Sequence, residues 1–178
     1  MARAFIRVPE QYVGHITKAD RKFFVAETLK ELKPNRADPE LAPSHIYQGR
    51  NLNFSWDGEE EMSGEGPLTF HRFDSPPHRL VIGVFVMRFY NARRPATSPP
   101  TSLYILSFDG ARWADVTGSV LPQPFDLRRC YEFSPSADVL TVRTCTRSGR
   151  SSMTPGRVLS VWSWTGSRFV SARPPPSS

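Results

Sequence analysis

The chain has 178 residues, 39% of them hydrophobic, enough for one domain with a buried core. Its formal net charge of +6 reads as spread along the chain, which suits an anionic partner or surface but lacks the basic stripe of a nucleic-acid groove. The longest apolar run, Leu80 to Tyr90, falls well short of the roughly 20 residues a membrane helix needs, and no signal peptide is readable at Met1.

In chain order, residues 1–16 mix apolar and polar side chains and predict an extended arm docked on the body. Thr17 reads as a helix cap, with Asp20 in a capping-box-like position. Phe24, Val25, Thr28, Leu29 and Leu32 then fall at helical spacing until Pro34. One amphipathic helix over about 17–33 is expected, its aromatic stripe forming a core face against a sheet. Residues 34–44 read as a loop. Ile46-Tyr47 and Leu52 to Trp56 are candidate strands, and Leu68 to Phe73 alternates as an exposed strand would. Leu80 to Tyr90 reads as a central strand buried on both faces, with Gly83 marking a bulge. Residues 91–100 form a basic, Pro-rich loop.

One phrase recurs three times: Phe54-Ser55-Trp56-Asp57-Gly58, Leu106-Ser107-Phe108-Asp109-Gly110 and Trp162-Ser163-Trp164-Thr165-Gly166. Asp-Gly between apolar runs is a strong hairpin signal, because a type I′ turn needs positive φ at both central residues. With two-residue turns, Leu106 faces Trp113, Leu103 faces Val116, and Trp162 faces Phe169. The first copy would set Phe54 and Trp56 against glutamates and fails this test. Three blades cannot close a propeller, so hairpins in a sheet or sandwich are the better reading.

The two cysteines, Cys130 and Cys145, flank a hairpin that turns through Ser134 to Asp138. Setting them opposite each other puts Glu132 against Arg143 and Phe133 against Val142. A disulfide is favoured over free thiols and points to an oxidising compartment. The expected fold is mainly β (α+β): an antiparallel sheet or sandwich of hairpins with one N-terminal amphipathic helix, in a single domain over 1–172. A disordered Pro/Ser tail, 173–178, follows.

The segment Ser107-Phe108-Asp109-Gly110-Ala111-Arg112-Trp113 resembles the Asp-box of sialidase-type propellers, but lacks the residue expected between Asp and Gly. It continues as Arg112-Trp113-Ala114-Asp115-Val116-Thr117 and Val120-Leu121-Pro122. With the closing Trp162-Ser163-Trp164-Thr165-Gly166-Ser167-Arg168-Phe169, this is similar to uncharacterised β-rich secreted bacterial proteins. Over about a third of the chain, that resemblance implies a bacterial, extracytoplasmic origin and supplies no catalytic residues.

No histidine among His15, His45, His71 and His78 belongs to a ligand pattern, no G-x-S-x-G elbow occurs, and no phosphate-binding Gly loop exists. The acidic run Asp57 to Glu61 reads as a solvated loop, and Glu132 with Asp138 is not placed across a cleft by anything in the sequence. Neither catalytic residues nor a metal or cofactor are expected. The favoured reading is a non-enzymatic binding protein of the periplasm or cell exterior, of inhibitor or immunity type, with another protein or a cell-envelope polymer as partner. It assumes a leader was removed; a native Met1 start would make the protein cytoplasmic. Trp56, Arg93, Arg94, Trp162 and Trp164 are the candidate partner-binding side chains, since Trp and Arg are favoured interface anchors; core packing is the competing role for the tryptophans. The alternative is a carbohydrate-active or other hydrolase with dispersed catalytic residues. A nucleic-acid-binding barrel with stacking aromatics comes third.

Overall fold

Period-two alternation takes over the chain after its N-terminal segment and builds two antiparallel sheets. The computed structural model describes residues 2–13, 17–31, 45–48, 51–54, 68–77, 79–87, 101–148 and 152–172. The first sheet runs in chain order: β1 (His45–Gln48), β2 (Asn51–Phe54), β3 (Leu68–Phe73), β4 (Leu80–Met87), β5 (Thr101–Phe108) and β6 (Trp113–Asp115). The second is a four-stranded meander of β7 (Arg129–Phe133), β8 (Val139–Ser148), β9 (Ser152–Trp164) and β10 (Phe169–Ala172). The N-terminal segment supplies α1 (Ala2–Arg7), a 3-10 turn (Glu10–Tyr12) and α2 (Lys18–Glu31). The molecule is thus mainly β.

The six-stranded sheet is the middle of three layers. On one side Phe5, Val8, Val13 and Val25 of the N-terminal segment pack on Leu68, Phe70, Ile82, Val84, Val86 and Leu106. On the other, Phe73, Val81, Phe85, Leu103 and Ile105 pack against Tyr131, Phe133, Leu140, Val142, Trp162, Trp164 and Phe169 of the second sheet. β4 therefore needs apolar side chains at odd and even positions alike, and Val81 to Val86 are all buried. β3 is likewise paired on both edges and buried at Leu68, Phe70, His71 and Phe73, which corrects its reading as an exposed strand. Gly83 marks no bulge, since its register to β3 and β5 is regular. Its role is close approach: a Cβ there would stand 2.3 Å from Cζ of Phe133.

The N-terminal arm is helical, not extended. Its turns form because Arg21 of α2, a buried side chain, gathers the carbonyls that end them. Arg21 donates to the carbonyl oxygens of Phe5 (3.1 Å) and Val8, and to that of Thr17 (3.4 Å). Glu10 faces the guanidinium at 3.7 Å and accepts a hydrogen bond from the first amide of α2, Lys18 N, at 3.2 Å, so the carboxylate also complements the helix N-terminus. Burial lowers the Arg21 pKa, opposed by Glu10.

Both hairpins that the sequence marks are present, with registers two residues away from expectation. Phe108 pairs with Trp113 and Leu106 with Asp115; Trp164 pairs with Phe169 and Ser171 with Trp162. Each is closed by a four-residue loop in place of a two-residue turn. In Asp109–Arg112, Asp109 Oδ1 accepts from the amides of Ala111 and Arg112, both at 2.8 Å. In Thr165–Arg168, the Thr165 hydroxyl exchanges hydrogen bonds with the Arg168 backbone. The second loop residue is in each case a glycine at positive φ, Gly110 at 102° and Gly166 at 93°. The aromatic pairs the loops bring together match, with centroids 4.9 Å apart for Phe108–Trp113 and 5.1 Å for Trp164–Phe169. In the first copy of the phrase, residues 55–58 lie outside the described residues. So do the Pro-rich loop 91–100 and the tail 173–178.

Candidate functional site

Cys130 and Cys145 lie at disulfide distance, with Cα atoms 5.1 Å apart. They are not directly opposite. Cys130 faces Arg143, Glu132 faces Thr141 and Phe133 faces Leu140, so the register expected from the cysteines is corrected by two residues. The pair is diagonal, and so is the ion pair predicted across the hairpin: Arg143 Nε reaches Glu132 Oε2 at 3.0 Å. The diagonal reach occurs where β8 and β9 fall out of step.

Two register shifts put extra residues into β9. Val142 pairs with Ser160 but Arg143 with Val158, which leaves Leu159 as the inserted residue. A second shift lies between Arg143–Val158 and Cys145–Pro155, where β9 carries Gly156 and Arg157. Bulges re-aim side chains and increase strand twist. Here Arg157 and Leu159 are both exposed, Leu159 by 38%.

Beyond the bulges the face is set by register. Partners in an antiparallel pair share a face, so Thr141 with Val161, and Val139 and Val170 with Ser163, point away from the inward Leu140, Trp162 and Phe169. Val170 is 37% exposed. The central strands of the first sheet, β3 to β5, are covered by packed side chains on both faces; the second sheet is covered on its inner face, while Val161 and Val170 lie on its outer face by register, with exposed Leu159 at the bulge, beside the Glu132–Arg143 pair.

Trp162 and Trp164, expected to bind a partner, lie on the other side of this sheet. Trp162 has no exposed surface and Trp164 is buried beside Phe73 and Phe169, so both occupy the core-packing role weighed for them. Trp56, Arg93 and Arg94 lie outside the described residues. Sequence reading passes over Leu159 and Arg157 because the bulges break the alternation that would assign them to a face. Val170 faces away from Phe169 by simple alternation in either register; which side of the strand is left open is set by the packing of the two sheets.

Two polar clusters serve packing. At the edge of the inter-sheet core, buried His71 stacks on Phe133 (5.3 Å) with Nε2 3.6 Å from Asp138 Oδ1. Asp138 Oδ2 accepts from Asp74 N at 3.0 Å, and its carbonyl accepts from Trp164 N at 2.8 Å. Trp164 Nε1 donates to the Asp74 carbonyl at 2.6 Å, which closes a corner joining the sheets. Glu132 and Asp138 are thus committed to different neighbours. A shallow pocket of about 360 Å³ lies over the Arg21 cluster, lined by Ile6, Arg7, Val8, Pro9, Glu10 and Lys18. No group of three or more His, Cys, Asp or Glu able to hold a metal ion occurs among the described residues. No helix among them is long and apolar enough to cross a membrane.

No family model matches the chain, and no curated protein does. A solved structure similar to it is a domain of an uncharacterized protein from Porphyromonas gingivalis W83, at 14% identity and a TM-score of 0.53, covering 97% of this chain and 98% of that one. A likeness at that identity shows the fold alone.

Proposed function

We propose that this is a non-enzymatic binding protein that works in an oxidising compartment and engages another protein through the outer face of its four-stranded sheet. The observation that carries the reading is the asymmetry between the sheets. The central strands of one are enclosed between two layers, whereas the other has Val170 exposed on its outer face and Leu159 exposed at a bulge of β9, a strand bulged twice beside a cysteine bridge. Among the described residues Phe23 of α2 and Leu127 ahead of β7 are also exposed, but Leu159 and Val170 are the two that lie on the strands of one sheet; apolar side chains exposed together are a mark of interaction surfaces, and the bridge fixes the base of the adjoining strand pair. Inhibitor and immunity proteins work in this manner, by covering another protein with a rigid face.

The test uses the full chain, immobilised, against an extract of its native organism. The expected result is recovery of one stoichiometric partner, with affinity lowered at least about tenfold by Leu159→Asp or Val170→Asp. Recovery of no partner, together with turnover on a glycan or peptide panel, would favour the hydrolase reading instead.

A further inference from the structure

We infer that the partner of this face is an acidic protein surface, an inference that rests on the binding role just proposed. No Asp or Glu follows Asp138, whereas Arg143, Arg147, Arg150, Arg157, Arg168 and Arg173 do. Everything up to Asp138 carries 17 basic and 17 acidic side chains, so the whole net charge of +6 belongs to the segment that forms β8, β9 and β10. The charge is therefore not spread along the chain, as composition suggests, but falls to the segment after Asp138, in which Arg143 is paired with Glu132 and the side chains of Arg147, Arg150 and Arg173 lie outside the described ones. Arg157 precedes Leu159 on β9, and Arg168 lies in the loop between Trp164 and Phe169; both are exposed. Between them in sequence run exposed Leu159 at the bulge and Val161, with hydroxyl-bearing Thr141 and Ser163 on the face of Val161 by register.

This mixture discriminates among anions. A nucleic acid or sulfated polymer would meet the arginines but offer nothing to cover Leu159 and Val170. A protein face with carboxylates around an apolar centre satisfies both, and that is the usual anatomy of a protein interface. A field of one sign also speeds encounter with a partner of the other, an effect that salt screens.

Fluorescence anisotropy on the full chain tests this with three labelled probes: a short peptide alternating Glu and Leu, poly-L-glutamate, and duplex DNA of matched charge. The alternating peptide is expected to bind most tightly and to weaken as salt rises. Arg157→Glu with Arg168→Glu should weaken it at least about tenfold, and Leu159→Asp should do so independently. The salt response of the unsubstituted chain keeps the test valid should a variant fold poorly. DNA binding as tightly as the peptide, or peptide binding indifferent to both charge reversals, would overturn the inference. The two proposals fail separately. A native partner captured with affinity indifferent to Arg157→Glu and Arg168→Glu would remove the acidic surface and leave the binding role standing.

Discussion

At Gly83 the absence of a side chain sets how the sheets meet. The Phe133 ring occupies the space a Cβ would need, with Phe73 Cε2 at 3.0 Å on the other side. Gly83→Ala forces a rigid ring to move within a packed aromatic cluster and is expected to cost about 1–3 kcal/mol, read as a lower urea midpoint. Asp109 acts through backbone bonds: the amides of Arg112 and Ala111 hold its carboxyl below the ordinary aspartate value of 3.8. A carboxyl whose pKa is lowered by folding stabilises the fold above its unfolded value, and that contribution disappears as pH falls through the folded one. The β5–β6 loop should therefore lose protection at the Ala111 and Arg112 amides below about pH 4, measured by hydrogen exchange. Unchanged protection there would mean the side chain does not hold the loop. Neither effect is legible in the sequence. Gly83 reads as a bulge because the ring that fills its place comes from another sheet. Asp109 reads as a turn residue, which it is, but its side-chain acceptor lengthens the loop.

Among the elements, the cysteine bridge supports the pair of strands that carries the open face. β7 pairs with β8 only from Thr144 back to Leu140, so β8 and β9 continue past that point as a two-stranded ribbon, and Cys145 lies just beyond the end of β7 pairing. The bridge closes a sequence separation of 15, for which the chain-entropy model gives about 3 kcal/mol. Reduction should lower unfolding stability by about that amount, checked by denaturation with and without a thiol reductant, and exchange should rise first over 144–157. An unchanged midpoint would show that the bridge does not hold the ribbon. The strands themselves were legible. Cross-strand aromatic pairs and Gly-containing loops announce both hairpins, and the apolar run of β4 announces a strand with two covered faces. Register was not. Counting from Asp-Gly assumes a two-residue turn, and counting from the cysteines assumes that they face each other. The structure has four-residue loops and a diagonal bridge, so each count is off by two. The helical form of residues 2–12 was hidden because buried Arg21 holds it by carbonyls, which leave no pattern in side chains.

At the scale of the whole molecule, three layers leave one sheet face uncovered by packed described residues, and the net charge belongs to the sequence segment that supplies three of its strands. The charge was readable in the sequence, since no carboxylate follows Asp138. The face was not, because both bulges lie in β9 and alternation cannot be followed through them. Trp162 and Trp164 turn inward because their side of the strand packs against the first sheet; alternation separates the two sides of a strand but does not say which of them is covered. Hydrogen exchange of the full chain, alone and bound to its captured partner, locates the binding face. Protection gained on binding is expected to concentrate between residues 157 and 171, across the outer run of β9 and into β10. Protection confined to residues 2–31, with β8–β10 unchanged, would contradict it.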